Sequence, residues 1–315
     1  MKLNKPSFWS SKYSFIAILL LPFTLITILI IFFKKKFTRK IHFNIPIICV
    51  GNIYIGGTGK TPASIYIAKE LTLLGKKPTI LRKYYENHRD EHNLIREKFN
   101  NLILNKDRLV GIKEAKKKNY DTVILDDGFQ DYRIKTNLNI LCFHQNQLIG
   151  NGLVLPAGPL REKLNSLKDA DIILINGKKN IDFEKKILKI NNNLEIFYSR
   201  YKPIDIDQFK NQKLFVVAGI GNPNNFIKLL LDNGLNIKKK LIFPDHYEFT
   251  QAEISDIIAD AKKNNFQVLM TEKDYYRINH LKHEAGKIKY LKVSLTIDDK
   301  EKLLKTISKL YDQIN

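Results

Sequence analysis

The sequence predicts an α/β fold, a mainly parallel sheet domain with a second, smaller α/β domain behind an N-terminal hydrophobic helix. Three observations carry this. Short apolar, β-branched runs recur along the chain and alternate with helical patterns, as strands buried on both faces by crossover helices require. A stretch rich in Asn, Lys and Asp, with Pro203, runs from Asn191 to Gln212 and interrupts that alternation. An uncharged apolar run of about 21 residues, Tyr13 to Phe33, precedes the first strand. The expected division is therefore residues 1–40 as a hydrophobic helix with its basic flank, 41–205 as the larger domain and 206–315 as the smaller.

Taken in order, Tyr13–Phe33 is long enough to cross a hydrocarbon core. Lys34, Lys35, Lys36, Arg39 and Lys40 follow it, where a signal peptide would carry small residues at a cleavage site. Only Lys2, Lys5 and Lys12 precede it, so the positive charge bias keeps the body of the chain on the cytoplasmic side. The expectation is a retained membrane anchor. Pro22 could kink it and leave it in one leaflet, so spanning and lying within one leaflet both stay open. The basic flank also suits anionic lipid.

Ile45 to Pro62, IPIICVGNIYIGGTGKTP, is the organising stretch. Ile45, Ile47, Ile48 and Val50 read as a buried strand, Gly56, Gly57, Thr58 and Gly59 as a turn, and Lys60-Thr61-Pro62 as the start of a helix. Strand, glycine turn, Lys-Thr and helix together form a phosphate-binding loop of the P-loop NTPase type. Glycines let backbone N–H groups face phosphate oxygens, and the helix N-terminus adds its dipole. Lys60 reaches the β- and γ-phosphates and the Thr61 hydroxyl holds Mg²⁺ in such a loop. Tyr54 stands where the usual spacing has its first glycine.

Strands follow at Lys77–Arg82, Tyr120–Leu125, Leu138–Phe143, Asp171–Ile175 and Leu194–Tyr198, with a helix near Gly111–Asn119. Beyond the boundary, Lys213–Ala218 starts the second unit, a helix runs Asn224–Asn233, and strands lie near Lys240–Phe243, Gln267–Met270 and Lys289–Val293. A last helix covers about Asp298–Asp312.

Asp126 and Asp127 end a strand in VILDDGFQ, the place from which an acid holds Mg²⁺ beside a nucleotide loop. LPAGPLRE presents Arg161 and Glu162 from a Pro/Gly-defined loop, and an arginine there can stabilise a transferring phosphoryl group. Asp90-Glu91, in a loop after the second strand, and Asp245-His246-Tyr247, at a strand exit, offer a carboxylate and an imidazole. A carboxylate supported by a histidine can take the proton of an attacking hydroxyl.

Composition says less. The net charge of +21, from 53 Lys+Arg against 32 Asp+Glu, invites anionic partners, but the lysines are spread throughout. No interleaved aromatic and basic motif supports nucleic-acid binding, and no obligate protein partner is evident. Cys49 and Cys142 lie in apolar strand runs, with no zinc or disulfide spacing.

As an ordered set, GGTGKTP, LDDGFQ, LPAGPLRE, GIGNP, FPDHY and TEKD, behind an apolar N-terminal segment, resemble the tetraacyldisaccharide 4′-kinase family over essentially the whole chain. The resemblance implies Mg²⁺-dependent transfer of the ATP γ-phosphoryl group to the 4′-hydroxyl of a lipid A disaccharide 1-phosphate precursor, at the cytoplasmic face of a bacterial inner membrane. It implies two α/β/α domains with the active site in the cleft between them. Lys60 and Thr61 then serve phosphate and Mg²⁺, Asp126 and Asp127 the metal, and Arg161 and Glu162 the phosphates. Asp90 is the implied base, with His246 supporting it. Where the family reads S-R-G-Y-G and then a longer loop ending in G-D-E, this chain has Leu81-Arg82-Lys83-Tyr84-Tyr85, a shortened loop and Arg89 before Asp90-Glu91, so that Arg82 and Tyr84 match and the glycines do not. The alternative is a membrane-anchored P-loop ATPase acting as a partner-binding switch, which leaves FPDHY and TEKD unexplained.

Overall fold

A computed structural model describes residues 6–11, 14–86, 89–245, 247–278, 281 and 285–312, with the backbone alone at 89 and 90. After a 3₁₀ turn at Ser7–Trp9 come α1 (Phe15–Leu19) and α2 (Leu21–Phe37). Next are β1 (Ile47–Gly51), α3 (Lys60–Leu73), β2 (Pro78–Lys83), α4 (Arg89–Lys98), β3 (Leu102–Asn105), α5 (Arg108–Lys117) and β4 (Thr122–Asp126). The chain continues through β5 (Leu138–His144), β6 (Ile172–Asn176), α6 (Ile181–Leu188), β7 (Glu195–Pro203), β8 (Lys213–Ala218) and α7 (Pro223–Asp232). It closes with β9 (Asn236–Ile242), α8 (Gln251–Lys263), β10 (Gln267–Thr271), α9 (Glu272–Ile278), β11 (Lys289–Leu291), β12 (Val293–Ile297) and α10 (Lys300–Asp312).

Two compact units result, the larger holding residues 6–85, 99–200 and 295–312 and the smaller 86–98 and 201–294. The chain crosses between them after Tyr85, Lys98, Arg200 and Ser294. The boundary read near residue 205 lies close to the third crossing; the other three carry no compositional mark.

The larger unit is built on a sheet of order β12-β7-β6-β5-β1-β4-β2-β3, with every neighbour pair from β7 to β3 parallel. In β1, β4 and β6 every residue is buried, the pattern of strands covered on both faces. On one face Phe143, Ile173 and Ile175 pack with Phe183 of α6, and beside them Ile47, Leu81 and Leu125 pack with Ile112 of α5; Ile48, Val50, Ile124 and Ile140 are buried on the opposite face. The final helix, α10, belongs to this unit. Tyr311 hydrogen-bonds Thr122 at 2.7 Å, and Lys300 pairs with Glu70 at 2.7 Å.

The smaller unit has a parallel sheet of order β11-β10-β8-β9. The sequence reads Lys289–Val293 as one strand. It is the junction of two: β11 joins the smaller sheet and β12 the larger, with Lys292 between them. The sequence also treats Asp90-Glu91 as part of a loop, whereas the chain is helical from Arg89 to Lys98. His92, Ile95 and Phe99 are buried at helical spacing, a short apolar stripe hidden among charges. Lys98 secures this helix to α9, pairing with Glu272 at 2.6 Å and donating to the Val293 carbonyl at 2.9 Å.

The N-terminal apolar run is not one rod. It breaks at Leu20, between α1 and α2, and Pro22 sits in the first turn of α2, where a missing N–H leaves no bond unmade. Among the described residues no helix is long and apolar enough to cross a membrane. Phe15, Leu19, Phe23, Leu25, Phe33 and Phe37 are all exposed, so the two helices present a broad apolar surface.

Candidate active site

The site grows from the end of β1. Gly56 and Gly59 adopt φ of 108° and 94°, a region only glycine enters readily, and Gly59 caps α3 from that conformation. A Cβ on Gly57 would meet nothing within 4 Å, so no packing among the described residues calls for glycine there. Open space above a glycine turn at a helix N-terminus suits a phosphate group. The loop is braced from beneath by Asn52, which donates to the Gly56 carbonyl (3.2 Å) and to Thr58 Oγ1 (2.9 Å). Tyr54 departs from the usual spacing because it is a core residue, buried with Phe143 and Leu160 and bridged to Leu160.

Two backbone hydrogen bonds bind LPAGPLRE to this loop, Ile55 N to Pro159 O (2.9 Å) and Arg161 N to Ile53 O (2.7 Å). They place Arg161 beside the phosphate loop. Its Nη1 lies 2.8 Å from Asp127 Oδ1, and Lys60 Nζ lies 3.7 Å from the same oxygen. Asp127 has a φ of 59°, tolerable for an aspartate, which turns it away from the strand direction of Asp126. Burial alone would raise the Asp127 carboxyl, but Lys60 and Arg161 outweigh it and hold it at about 2. Burial lowers the Lys60 ammonium, against the attraction of Asp127.

Asp126, level with Val50 of β1 in the parallel ladder, is fully buried. It accepts from Thr61 Oγ1 (3.0 Å) and Ser64 Oγ (3.2 Å) and is ion-paired with Arg82. Arg82 also donates to Thr61 Oγ1 at 3.1 Å, so the Thr61–Asp126 pair already draws a cationic group to itself. Among the described residues no cluster of three or more His, Cys, Asp or Glu could enclose a metal. One hydroxyl and two carboxylates beside a phosphate loop nonetheless fit Mg²⁺, which takes few protein ligands and keeps phosphate oxygens and water for the rest.

Glu162 is buried, with Lys35 of α2 at 2.8 Å from its Oε2 and Gln130 donating to its Oε1 at 3.1 Å. His246 and the side chain of Asp90 lie outside the described residues. Their chain neighbours are joined: Lys273 of TEKD lies 3.2 Å from Glu91 and 3.6 Å from Asp245. The predicted Gly56–Thr61, Asp126, Asp127, Arg161 and Glu162 lie together in the larger unit, where Gln130 and Arg108 join them unpredicted, Lys35 joins them from the basic flank and Arg82 pairs with Asp126. In the smaller unit Lys273 is likewise unpredicted. Gln130 ends LDDGFQ and Lys273 sits in TEKD, so for these two a motif signal existed. Arg108 donates to the Asp127 carbonyl at 2.6 Å, and nothing in its local sequence marks it.

The family model for LpxK, tetraacyldisaccharide-1-P 4′-kinase, matches residues 16–312. The chain belongs to the tetraacyldisaccharide-1-phosphate 4′-kinase family. The tetraacyldisaccharide 4′-kinase of Pelagibacter ubique is 41% identical over 99% of this chain and 100% of its own length. That of Rickettsia felis is 33% identical over 98% of each chain. The solved LpxK of Aquifex aeolicus, in complex with ATP, is similar at a TM-score of 0.71 and 25% identity, covering 94% of this chain and 99% of that one. Family membership spans both units, FPDHY and TEKD included, which the switch reading left without a purpose.

Proposed function

We propose that the chain is a lipid A precursor kinase that moves the γ-phosphoryl group of ATP to the 4′-hydroxyl of a tetraacyldisaccharide 1-phosphate. The observation that carries this is the Lys60–Asp127–Arg161 cluster at the mouth of the glycine loop, in a chain of this family. Gly56, Gly57, Thr58 and Gly59 hold the phosphates through the backbone, Lys60 neutralises their charge, and Thr61 with Asp126 and Asp127 supplies the metal's protein ligands. Mg²⁺ contributes neutralisation of charge on the transferring group. Arg161, restrained by Asp127 and Gln130, has its guanidinium poised beside Lys60 for charge that grows during transfer. Glu162 orients the arginine's loop. Asp90 takes the hydroxyl proton and His246 supports it, with Lys273 tying the two segments together through Glu91 and Asp245.

The acceptor carries acyl chains, so its sugar meets the enzyme at a membrane surface. The exposed apolar faces of α1 and α2 suit attachment there, at the cytoplasmic face of the inner membrane. Confining enzyme and acceptor to one surface raises their effective concentration. Detergent-solubilised protein with γ-labelled ATP and Mg²⁺ should label a bis-phosphorylated lipid only when tetraacyldisaccharide 1-phosphate is present. ATP hydrolysis with no label in lipid overturns this reading and restores the switch.

A further inference from the structure

Lys35 stands in the basic flank of the apolar helix, where charge would ordinarily face lipid headgroups. Its ammonium instead turns inward, 2.8 Å from Glu162 Oε2 and 3.1 Å from Asp169 Oδ2. The rings of Tyr132 and Phe129 lie 5.2 and 6.0 Å away. The Glu162 side chain is only 2% exposed, and among the described residues Lys35 is the cation paired with it. From Glu162 a continuous polar chain leads to the phosphate loop. Gln130 Nε2 donates to Glu162 Oε1 (3.1 Å), Arg161 donates to Gln130 Oε1 (3.2 Å) and to Asp127 Oδ1 (2.8 Å), and Lys60 closes on Asp127.

The same N-terminal segment grips the catalytic loop at two further points. Thr24 of α2 is buried although α2 is otherwise largely exposed, and its hydroxyl donates to the Val154 carbonyl (3.2 Å) and accepts from Ala157 N (3.1 Å). Trp9 donates its indole N–H to the Pro156 carbonyl (3.0 Å) and accepts from Asn151 N through its own carbonyl (2.8 Å). The loop that presents Arg161 is thus seated on the apolar helix rather than merely near it.

We propose that Lys35 is a positioning residue for phosphoryl transfer: by compensating buried Glu162 it couples the seat of the apolar N-terminal helix to the pose of Arg161 over the phosphate loop. The coupling rests on the kinase reading for its effect on turnover, but not for its existence. Burial opposes the charge on Lys35, and the hydrogen bonds and charges of Glu162 and Asp169 outweigh that and raise its pKa above the ordinary lysine value. Lys35 therefore keeps its proton throughout the working pH range. Removing one partner of a buried ion pair leaves the other uncompensated, so the neighbouring side chains must rearrange around Glu162.

The test uses the full chain, as wild type, K35M, K35R, E162Q and the K35M/E162Q double variant. K35M should lower kcat for lipid phosphorylation about tenfold or more, as misplacement of a charge-stabilising group does. Sedimentation with anionic phospholipid vesicles should be unchanged, since Lys34, Lys36, Arg39 and Lys40 remain. K35R should recover kcat to within about threefold, because a guanidinium can pair with the same carboxylates. In the E162Q background K35M should cost nothing further, the non-additivity expected of two groups acting as one unit. Wild-type kcat in K35M overturns the proposal. So does a loss confined to vesicle binding and lipid KM, which makes Lys35 a membrane-surface charge, or a K35M loss that persists in full beside E162Q. Hydrogen exchange without lipid or nucleotide reads the coupling even if the wild type lacks the lipid activity. The Leu160 and Arg161 amides, bonded to Leu153 O and Ile53 O, should exchange about tenfold faster in K35M, while β4 amides do not change. Equal exchange in K35M and wild type overturns the coupling itself.

Discussion

Among the described residues each unit buries one aspartate completely at or just beyond the C-terminal end of a central parallel strand, and each surrounds it with a threonine and an arginine. In the larger unit Asp126 meets Thr61, Ser64 and Arg82. In the smaller, Asp274 accepts from Thr271 Oγ1 (2.6 Å) and Gly219 N (3.0 Å) and pairs with Arg277 at 2.6 Å, and Arg277 also reaches the Gly219 carbonyl (2.6 Å). The Asp274 knot is closed: both its oxygens serve to hold GIGNP and TEKD together. Beside Asp126 stand, in addition, a second acid at positive φ, Lys60, Arg161 and Gly57, where a Cβ would meet nothing within 4 Å. Buried aspartate, threonine and arginine at a strand tip are therefore a way of tying loops. Chemistry enters with the charged groups left facing the open loop. The two carboxyls in question also diverge: burial pushes Asp274 up despite Arg277, while Lys60 and Arg161 hold Asp127 at about 2.

The sharpest way to break this contrast is Lys60→Ala. It should lower kcat about a thousandfold or more, as loss of a phosphate-neutralising group does, with the melting temperature within about 3 °C of wild type. Unaltered turnover in that folded variant removes the larger unit from the chemistry. Asp127→Asn should cost about a hundredfold in kcat, because Lys60 and Arg161 lose the anion that spaces them. Asp274→Ala should do the opposite, destabilising the fold by about 3 kcal/mol in denaturant titration while the folded fraction keeps kcat within about twofold. A large kcat loss at full stability would place Asp274 in the catalytic machinery.

A smaller effect follows from pH. The Asp127 carboxyl stands at about 2 when folded against an ordinary 3.8, and an acid depressed by folding stabilises above its unfolded value. That contribution, about 1 kcal/mol for a side chain still 27% exposed, is complete above about pH 4 and lost as pH falls towards 2. Denaturant midpoints of wild type and Asp127→Asn should therefore converge as pH falls from about 4 to 2. The smallest expected effect concerns the thiols. Burial pushes Cys49 and Cys142 up to about 12, so maleimide at pH 8 should modify neither before unfolding. Rapid modification of native protein would mean that β1 or β5 opens readily.

Much of this was legible in one dimension. Apolar runs located all the central strands, because strands covered on both faces admit little else. Glycines, Lys60-Thr61 and the acids at the end of β4 marked the candidate phosphate site, because backbone turns and charge at a strand tip are local requirements. The short helix α4 was missed for a local reason too: His92, Ile95 and Phe99 are a thin stripe among Arg, Asp, Glu and Lys.

What the sequence by itself determined is the glycine loop with Lys60-Thr61, the paired acids at the end of β4 and the central strands; it left out the edge strand β3. Only the tertiary structure decided which distant groups share a charge. Lys35 reads locally as one of five basic residues after an apolar run and is withdrawn to Glu162, 127 positions away in the sequence. Lys289–Val293 reads as one strand and is divided between two sheets, since pairing partners are chosen by neighbours brought in from elsewhere. The physical reason is common to both. Hydrophobic period and turn chemistry act over a few residues, whereas a buried charge must find its partner wherever packing puts one.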